Sequence, residues 1–579
     1  MIDLTNPNSM RKLAKAVEFA FTDQSPERER RNSLVRIYAD QARDWYSEFF
    51  GDNWYSSSAQ FLPLFQQYVR GHMMTLGYTN PKWSVRSKTM QGRQFAARMR
   101  MLLEYYMSVL DGQKLIRQWA LDTAFGDAVA KIIDGPPPLG ITAPITPRVY
   151  RLNPNMVIRD RSVDNVSECG FIGDLYLMPI DEAMSNVEFL YYNQMGTMNL
   201  TPYKVEGDAA RDITTSRTSD AYPQEVIRLL DLYIPGAGGV CTFNVPNDSF
   251  SSLSMDTMLR FKPTSINPYE FCRLVEMPDN VGELARLYYL KQLHFLSNDM
   301  LAKAALQARR SKRNPISKIG NEHDLSHALD TPDNEAVFLN EMDQHDLFVL
   351  PGPDPAILEL GTVAARLFSQ QAGNTEVALG MSPGATTARQ TQAMLGQIGT
   401  ASEYDRSIFE TFLSRVGQKL ATLAFESEVL ELEFQQRVPG TKYSYPVYWG
   451  PPENLPRVGE ITDYNFEVVP RSTGYRGPQE LLQQLQAASQ GIAQWMGLMA
   501  QGAPINIAAV MKTYGEAFDM LPELQDWWSG EPPSPQQATS NAYVAAMPHN
   551  PGGANVNYQG VAGGDEANTM SISGPPQGQ

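Results

Sequence analysis

Gly380-Met381-Ser382-Pro383-Gly384 has the spacing of a nucleophile elbow, in which the serine of G-x-S-x-G attacks an acyl carbon. One residue defeats that chemistry. The oxyanion of such a site is held by the backbone N–H of the residue after the serine, and here that residue is Pro383, which has none. The only histidine downstream is His549, in a stretch rich in Pro, Gly, Asn, Ser and Gln. A flexible loop is the better reading. His323 and His327 stand four apart, beside Asp324 and near His345, so one helical turn could aim both imidazoles at a metal. Pro332 and the acidic surroundings argue against that helix, and solvated loop residues are the simpler reading. No G-x-x-x-x-G-K-[ST] is present, which excludes a P-loop motor. Gly236-Ala237-Gly238-Gly239 lacks the dinucleotide-binding spacing and reads as a β-turn. No catalytic, metal or cofactor set emerges, so a non-enzyme without cofactors is expected.

The sharpest charge feature is Arg309, Arg310, Lys312, Arg313 and Lys318. An acidic block follows, with eight Asp or Glu and no Lys or Arg from Asn321 to Asp346. Three readings stay open for the cations. They cap a solvated helix end, they touch nucleic-acid phosphates, or they pair with the acidic block of a neighbouring copy, as in a head-to-tail ring contact.

The elements that carry these residues follow from periodicity and breakers. Residues 1–130 read mainly as helix. Ser25-Pro26 is an N-cap and first-turn pair, and Leu34, Ile37, Tyr38, Trp45 and Phe49 share a face up to Gly51-Asp52. Further helices are expected over Phe61–Leu76, Phe95–Leu110 and Lys114–Ile133. Gly126 interrupts the last of these, as a helix end or as a point of close backbone approach. Val149–Ile158, Gly170–Met178 and Glu225–Ile234 read as strands, and 193–223 as a polar loop. A helix from Val281 to Ala308 would span roughly 42 Å. Ala336–Leu339 and Leu347–Leu350 read as short strands. Pro355 opens a helix to about Gln371, and a Gly-, Ser- and Thr-containing loop spans Gly373–Thr386. Thr387 and Gln390 have capping-box spacing ahead of a helix of roughly 40 residues to Phe425. Tyr443–Trp449 and Tyr464–Val469 read as strands. From Pro478 a Gln-rich helix places Leu485, Ala488, Ile492, Trp495 and Met499 at heptad spacing. Beyond Gly530 the composition predicts disorder.

Composition narrows the class. The 579 residues are 42% apolar but only 19% charged, against an ordinary charged share of about 25%. Low surface charge suits a subunit that covers itself with its own copies. The net charge of -16 argues against a general nucleic-acid coat. Cys169, Cys241 and Cys272 fit neither a zinc knuckle nor a disulfide framework. No apolar run approaches 18 residues and Met1–Ser9 lacks a signal-peptide core, so a soluble intracellular product without membrane partners is expected.

Helices, a strand-rich insert, a long helix, a short charged excursion, a returning helix, a loop and a very long helix follow one another. That order resembles the portal protein (head–tail connector) of tailed bacteriophages, of the short-tailed kind. Three stretches carry the likeness. The first runs from Phe61-Leu62-Pro63-Leu64-Phe65 to Asn80-Pro81-Lys82-Trp83-Ser84-Val85. The second is Trp119 to Lys131. The third is Val149-Tyr150-Arg151-Leu152-Asn153-Pro154 followed by Gly170-Phe171-Ile172-Gly173. The resemblance spans roughly residues 10–528 and rests on element order and composition, not on a catalytic signature.

The resemblance implies an α+β, predominantly helical, elongated subunit with wing, stem, clip and helical crown, assembling into a ring of twelve. Residues 1–280 would be the wing, 281–308 the first stem helix, 309–353 the clip and 354–372 the second stem helix. Residues 373–386 would be the tunnel loop, with Asn374, Thr375, Met381 and Ser382, and no Lys or Arg before Arg389. Residues 387–477 would be the long helix and remaining wing, 478–528 the crown and 529–579 a disordered tail. The implied partners are further copies of the chain, double-stranded DNA in the channel, the terminase large subunit, tail adaptor proteins, the major capsid protein and a scaffold. The implied location is the capsid vertex of the virion, reached from the host cytoplasm. Twelve copies would carry a formal charge of about -192, which lets DNA slide rather than stick. Two other readings are an oligomeric structural or scaffold protein without a DNA channel, and a cytoplasmic hydrolase.

Overall fold

The computed structural model describes residues 6–39, 62–77, 79–135, 146–163, 165–186, 225–246, 257–277, 282–310, 313–317, 345–349, 354–373, 388–437 and 444–469, with positions 189, 200, 250, 253–254, 491 and 495. The chain divides into two compact units, Met1–Glu480 and Leu481–Gln579. Of the second, only Gly491 and Trp495 are described, and both are helical.

The first unit opens with helix α1 (Pro7–Asp23), capped by the Asn6 side chain, which accepts from the Asn8 amide at 3.0 Å. Its buried stripe is Met10, Leu13, Ala14, Val17 and Ala20, one face of a 3.6-residue period. Helix α2 (Ser25–Tyr38) begins after a single residue. Ser25 is therefore not the cap that its type suggested. Gln24, in the N-cap position, keeps helical dihedrals (φ -80°, ψ -3°), and no extended residue is left whose side chain could turn back onto the free amides. Pro26 does hold its first-turn place. Trp45 and Phe49 lie outside the described residues, as do 201–224, the greater part of the expected polar loop.

Helix α3 (Leu64–Leu76), strand β1 (Trp83–Ser87), and helices α4 (Arg93–Val109) and α5 (Gly112–Phe125) follow. The expected helix over Lys114–Ile133 is half helix and half strand. Gly126 adopts φ 154°, ψ -137°, and the chain continues as strand β2 (Ala128–Gly135). A β-carbon at Gly126 would stand 2.9 Å from a Glu283 carboxylate oxygen and 3.1 Å from the Arg31 guanidinium. Both readings of this glycine thus hold: it ends a helix and admits a close approach.

Strands β3 (Thr146–Leu152), β4 (Val157–Arg159) and β5 (Ile172–Pro179), short helix α6 (Ile180–Ser185), and strands β6 (Val226–Ile234), β7 (Gly239–Asn244), β8 (Met258–Pro263) and β9 (Tyr269–Cys272) complete the strand-rich part. The strand expected over Val149–Ile158 is split, because Pro154 opens a single 3₁₀ turn capped by Asn153. Two sheets result, ordered β3-β2-β9 and β4-β5-β6-β7-β8, and every pairing in them is antiparallel. The glycine run 236–239 is the turn between β6 and β7, with Gly238 left-handed at φ 74°.

Helix α7 (Arg286–Arg310), strands β10 (Arg313–Ser317) and β11 (His345–Val349), helix α8 (Pro355–Gln371), helix α9 (Ala388–Glu426) and strands β12 (Leu432–Arg437), β13 (Ser444–Trp449) and β14 (Tyr464–Val468) follow. Helix α7 starts five residues later than Val281, since 282–285 are not helical. The Thr387 cap and the strand expected at Ala336–Leu339 fall outside the described residues.

Helix α9 is the spine of the largest core. Phe409, Phe412, Leu413, Val416 and Leu420 meet Trp119 of α5, the α4 stripe and Trp449 of β13, with Trp119 edge-on to Phe412 at 5.4 Å. Strand β1 pairs with β14 and lays Trp83 against α9 at Gly417. A second core joins α1 to the five-stranded sheet. A third gathers Leu34, Phe65, Leu287, Leu290 and Phe368, and so roots α7 and α8 in the body. Among the described residues no helix is long and apolar enough to cross a membrane.

Candidate functional site: a helix pair carrying a hairpin

Helix α8 begins where its sequence says it must. The Asp354 carboxylate accepts from the Ala356 amide at 2.9 Å, and Pro355 fills the first turn. The Asp354 amide donates to Gln307 of α7 at 3.1 Å, and Ser297 donates to the Gly361 carbonyl at 3.2 Å. Deeper in the body, His294 and Phe368 have ring centres 6.4 Å apart. Sequence rises along one helix as it falls along the other, so the pair is antiparallel. Small residues permit the close contact: Gly361 faces Met300, whose β-carbon would lie 3.1 Å from an added one, and Ala302, Ala304 and Ala364 are buried.

The pair is fixed at its root. Arg286 forks onto Asp405 of α9 at 2.7 and 2.9 Å. The Leu62 amide donates to Asn298 at 2.8 Å, and Lys291 donates to Ser33 at 2.7 Å. His294 packs against Phe65 at 4.7 Å, and burial pushes its pKa down to about 4. His72, hydrogen-bonded to Thr123 at 2.9 Å, is pushed to about 4 by the same burial. At the other end, past the last turn of α7, β10 and β11 pair antiparallel from Arg313 opposite Val349 to Ser317 opposite His345. A 25-residue helix reaches about 38 Å, so the hairpin stands well away from the root.

The sequence-predicted residues distribute as follows. Arg309 and Arg310 end α7, and Arg313 opens β10 three residues on. Lys312, Lys318, Asn374, Thr375, Met381 and Ser382 lie outside the described residues, as do His323, His327 and 380–384. Sequence reasoning overlooked the feature that the side chains do show. Leu360, Val363 and Leu367 of α8, at helical spacing, are 47%, 41% and 41% exposed, and Leu296 of α7 is 37% exposed. A readable signal existed: from Pro355 to Phe368 apolar residues cover more of the helix than one buried stripe requires.

Buried charge is concentrated elsewhere, at the joint of the two sheets. Lys131 of β2 reaches Asp174 of β5 at 2.6 Å and Asp231 of β6 at 2.7 Å. Tyr269 donates to Asp174 at 2.5 Å, and Thr242 donates to Asp231 at 2.6 Å. Burial raises the Asp174 carboxyl by more than Lys131 offsets. Burial also pushes Asp231 up, but Lys131 and Arg260 outweigh it, and that group ends below its ordinary value. Asp127 is gripped by Arg159 at 2.5 Å and Arg273 at 3.0 Å, and Asp122 by Arg31 and Arg151. These are paired networks that hold elements together.

Beside the first network, a cleft of about 360 Å³ opens between β2, β8 and the end of α9, with Asp134, Arg260, Lys262 and Glu426 on its walls. Burial raises the thiols of Cys169 and Cys241 to about 11 and 12 and holds that of Cys272 well above its ordinary value, which leaves little thiolate for nucleophilic work. Among the described residues no cluster of His, Cys, Asp or Glu is placed to hold a metal ion. No protein-family model matches this chain, and no curated protein matches it.

Proposed function

We propose that the chain is a portal subunit, the head–tail connector of a tailed bacteriophage. In this reading twelve copies form a ring at one capsid vertex. Double-stranded DNA enters and leaves through the centre, and the ring receives first the terminase and then the tail adaptors. One observation carries the reading: an antiparallel helix pair rooted in an α+β body, bearing a two-stranded hairpin at its far end and an uncovered apolar stripe along its side. A stem needs all three. The root ties it to the body, the stripe meets the next copy, and the hairpin is the part a motor or adaptor can grip. The long helix α9 returns through the body after the loop region, as the resemblance implies for a subunit whose tunnel loop follows its second stem helix.

The charge balance supports the same reading. At -16 per chain, a ring repels phosphates over most of its surface, and DNA passes without being held. Energy would come from a separate motor. Native mass spectrometry with negative-stain images of the purified chain tests the proposal. The expected result is closed rings of about twelve chains of 64.6 kDa, near 775 kDa in all, with a central hole. A chain that stays monomeric or dimeric, alone and with its capsid and scaffolding proteins, overturns it.

A further inference from the structure

Charge is unevenly laid along this acidic chain. Residues 53–121 hold nine Lys or Arg and only two acids, Glu104 and Asp111. Within 82–100 there are six cations (Lys82, Arg86, Lys88, Arg93, Arg98 and Arg100) and no acid. They belong to β1, the turn after it and the first half of α4. The turn is tied to itself, the Thr89 amide donating to Ser87 at 3.1 Å and the Gly92 amide to Thr89 at 3.3 Å. Strand and helix thereby form one unit, and its helix is about 25 Å long. That unit turns Trp83, Phe95, Met99 and Leu102 into the core and leaves all six cations exposed.

Carboxylates and carbonyls stand near some of the six, and the Lys88 ammonium donates to the Thr462 carbonyl at 2.7 Å. Glu104 stands 3.7 Å from Arg100. Asp463 accepts from the Glu460 amide at 3.0 Å, within a capping box that engages both side chains. Glu467 sits opposite Ser84. Among the described residues none of these acids forms an ion pair with Arg86, Arg93 or Arg98. Arg86, Arg93 and Arg98, kept apart from carboxylates in a chain with acids to spare, are set for an anion from outside.

The shape of that anion follows from the face. Charges spread along a strand, its turn and the first half of a helix match a ligand whose charges repeat along its own length. Between the cations lie Ser84, Thr89, Gln91 and Gln94, side chains that donate to phosphate oxygens. Met90 is the one large apolar side chain of this stretch that is mostly exposed, at 79%. A protein partner would need an apolar or aromatic centre. A single strand would need aromatic platforms, and Trp83 and Phe95 are buried. We infer that the face formed by β1, its turn and α4 binds the phosphate backbone of double-stranded nucleic acid without reading its sequence. The site lies on the body, away from the helix pair, and does not require the ring.

The test is fluorescence anisotropy of the purified full-length chain with a labelled mixed-sequence duplex, titrated across salt. Wild type is expected to bind with strong salt dependence. Arg86→Glu/Arg93→Glu/Arg98→Glu should bind at least about tenfold more weakly and show a salt slope smaller by about three. Arg86→Gln/Arg93→Gln/Arg98→Gln should weaken binding less, and thermal melts establish that each variant folds. Arg11→Glu/Lys12→Glu, at exposed positions of α1, should leave this binding unchanged. Three results overturn the inference: a wild type that ignores the duplex, a folded triple variant that binds as wild type does, or a wild type that takes a synthetic peptide of residues 321–346 in preference to the duplex.

Discussion

Lys131 shows what a single buried charge does here. It stands between Asp174 and Asp231, one on each of two neighbouring strands of the five-stranded sheet, while its own strand belongs to the three-stranded one. Lys131→Met would leave two carboxylates facing each other in a dry joint, and stability should fall by about 3–5 kcal/mol in urea unfolding. Adding Asp174→Asn and Asp231→Asn should recover most of the loss, and a fall below about 1 kcal/mol would show that water reaches the joint. His72 and His294 act through pH. Both sit near 4 in the fold, below the ordinary 6.5, so the folded chain keeps them neutral where the unfolded chain takes up a proton. Their stabilisation is complete above pH 6.5 and drains as pH falls towards 4, at about 1.4 kcal/mol per pH unit for each. His294→Gln should flatten that slope by one such increment in unfolding curves taken from pH 7 to 4; an unchanged slope would place the acid sensitivity elsewhere. Gly126 is the third residue of this kind. Its φ of 154° and its nearness to Glu283 and Arg31 predict that Gly126→Ala costs about 1–3 kcal/mol, measured by thermal melting against wild type.

At the scale of elements, α8 was the most legible. Pro355 behind Asp354 marks its start, the apolar period runs through it, and its bounds are those read from the sequence. Strands β13 and β14 and the β6–β7 turn were legible for similar local reasons. Strand β2 was not. It is the central strand of its sheet and is buried along nearly its whole length, so Ala128 to Ile133 show no alternation, and the helix formers Ala128, Ala130 and Lys131 masked the β-branched Val129, Ile132 and Ile133 between and after them. Strands β1, β8, β9 and β12 are short, and each is fixed by a partner strand more than by its own pattern. In the candidate site, the paired helices and the strand at β11 could be read. The excess of apolar residues on α8 could be read, but not which of them would be left as an exposed stripe, because exposure depends on what the rest of the chain leaves uncovered. That stripe carries its own prediction. Leu360→Ser/Val363→Ser/Leu367→Ser should keep the circular dichroism of the single chain and lower its melting only modestly, since more than two-fifths of each residue is already exposed. The same variant should lose rings in native mass spectrometry. Rings of full size from it would remove α8 from the contact between copies.

For the whole molecule, the two charge features divide the work by place. The cations that end α7 and open β10 sit beside the hairpin, and the acidic block 321–346 runs in the chain from between its two strands into the first two residues of β11. Deleting 321–346, or reversing Arg309, Arg310, Lys312 and Arg313, should damage ring closure or motor docking. Intact rings with undiminished packaging would take that function from the cluster. The pairing of β1 with β14 has a different consequence, in time. Trp83 cannot meet Val468 until the ribosome has added about 380 further residues, which at about 5–20 residues per second takes roughly 20–75 s. For most of that interval Trp83 and the apolar side of α4 have neither α9 nor β14 to cover them, for the rest of it they still lack β14, and the nascent chain is a client for holding chaperones. The helix pair leaves the ribosome before the strand that closes the body, so the chain displays its sticky stripe to neighbouring nascent chains while it is still half made. Translation speed across 372–464 therefore sets how long each copy is exposed to the wrong partner.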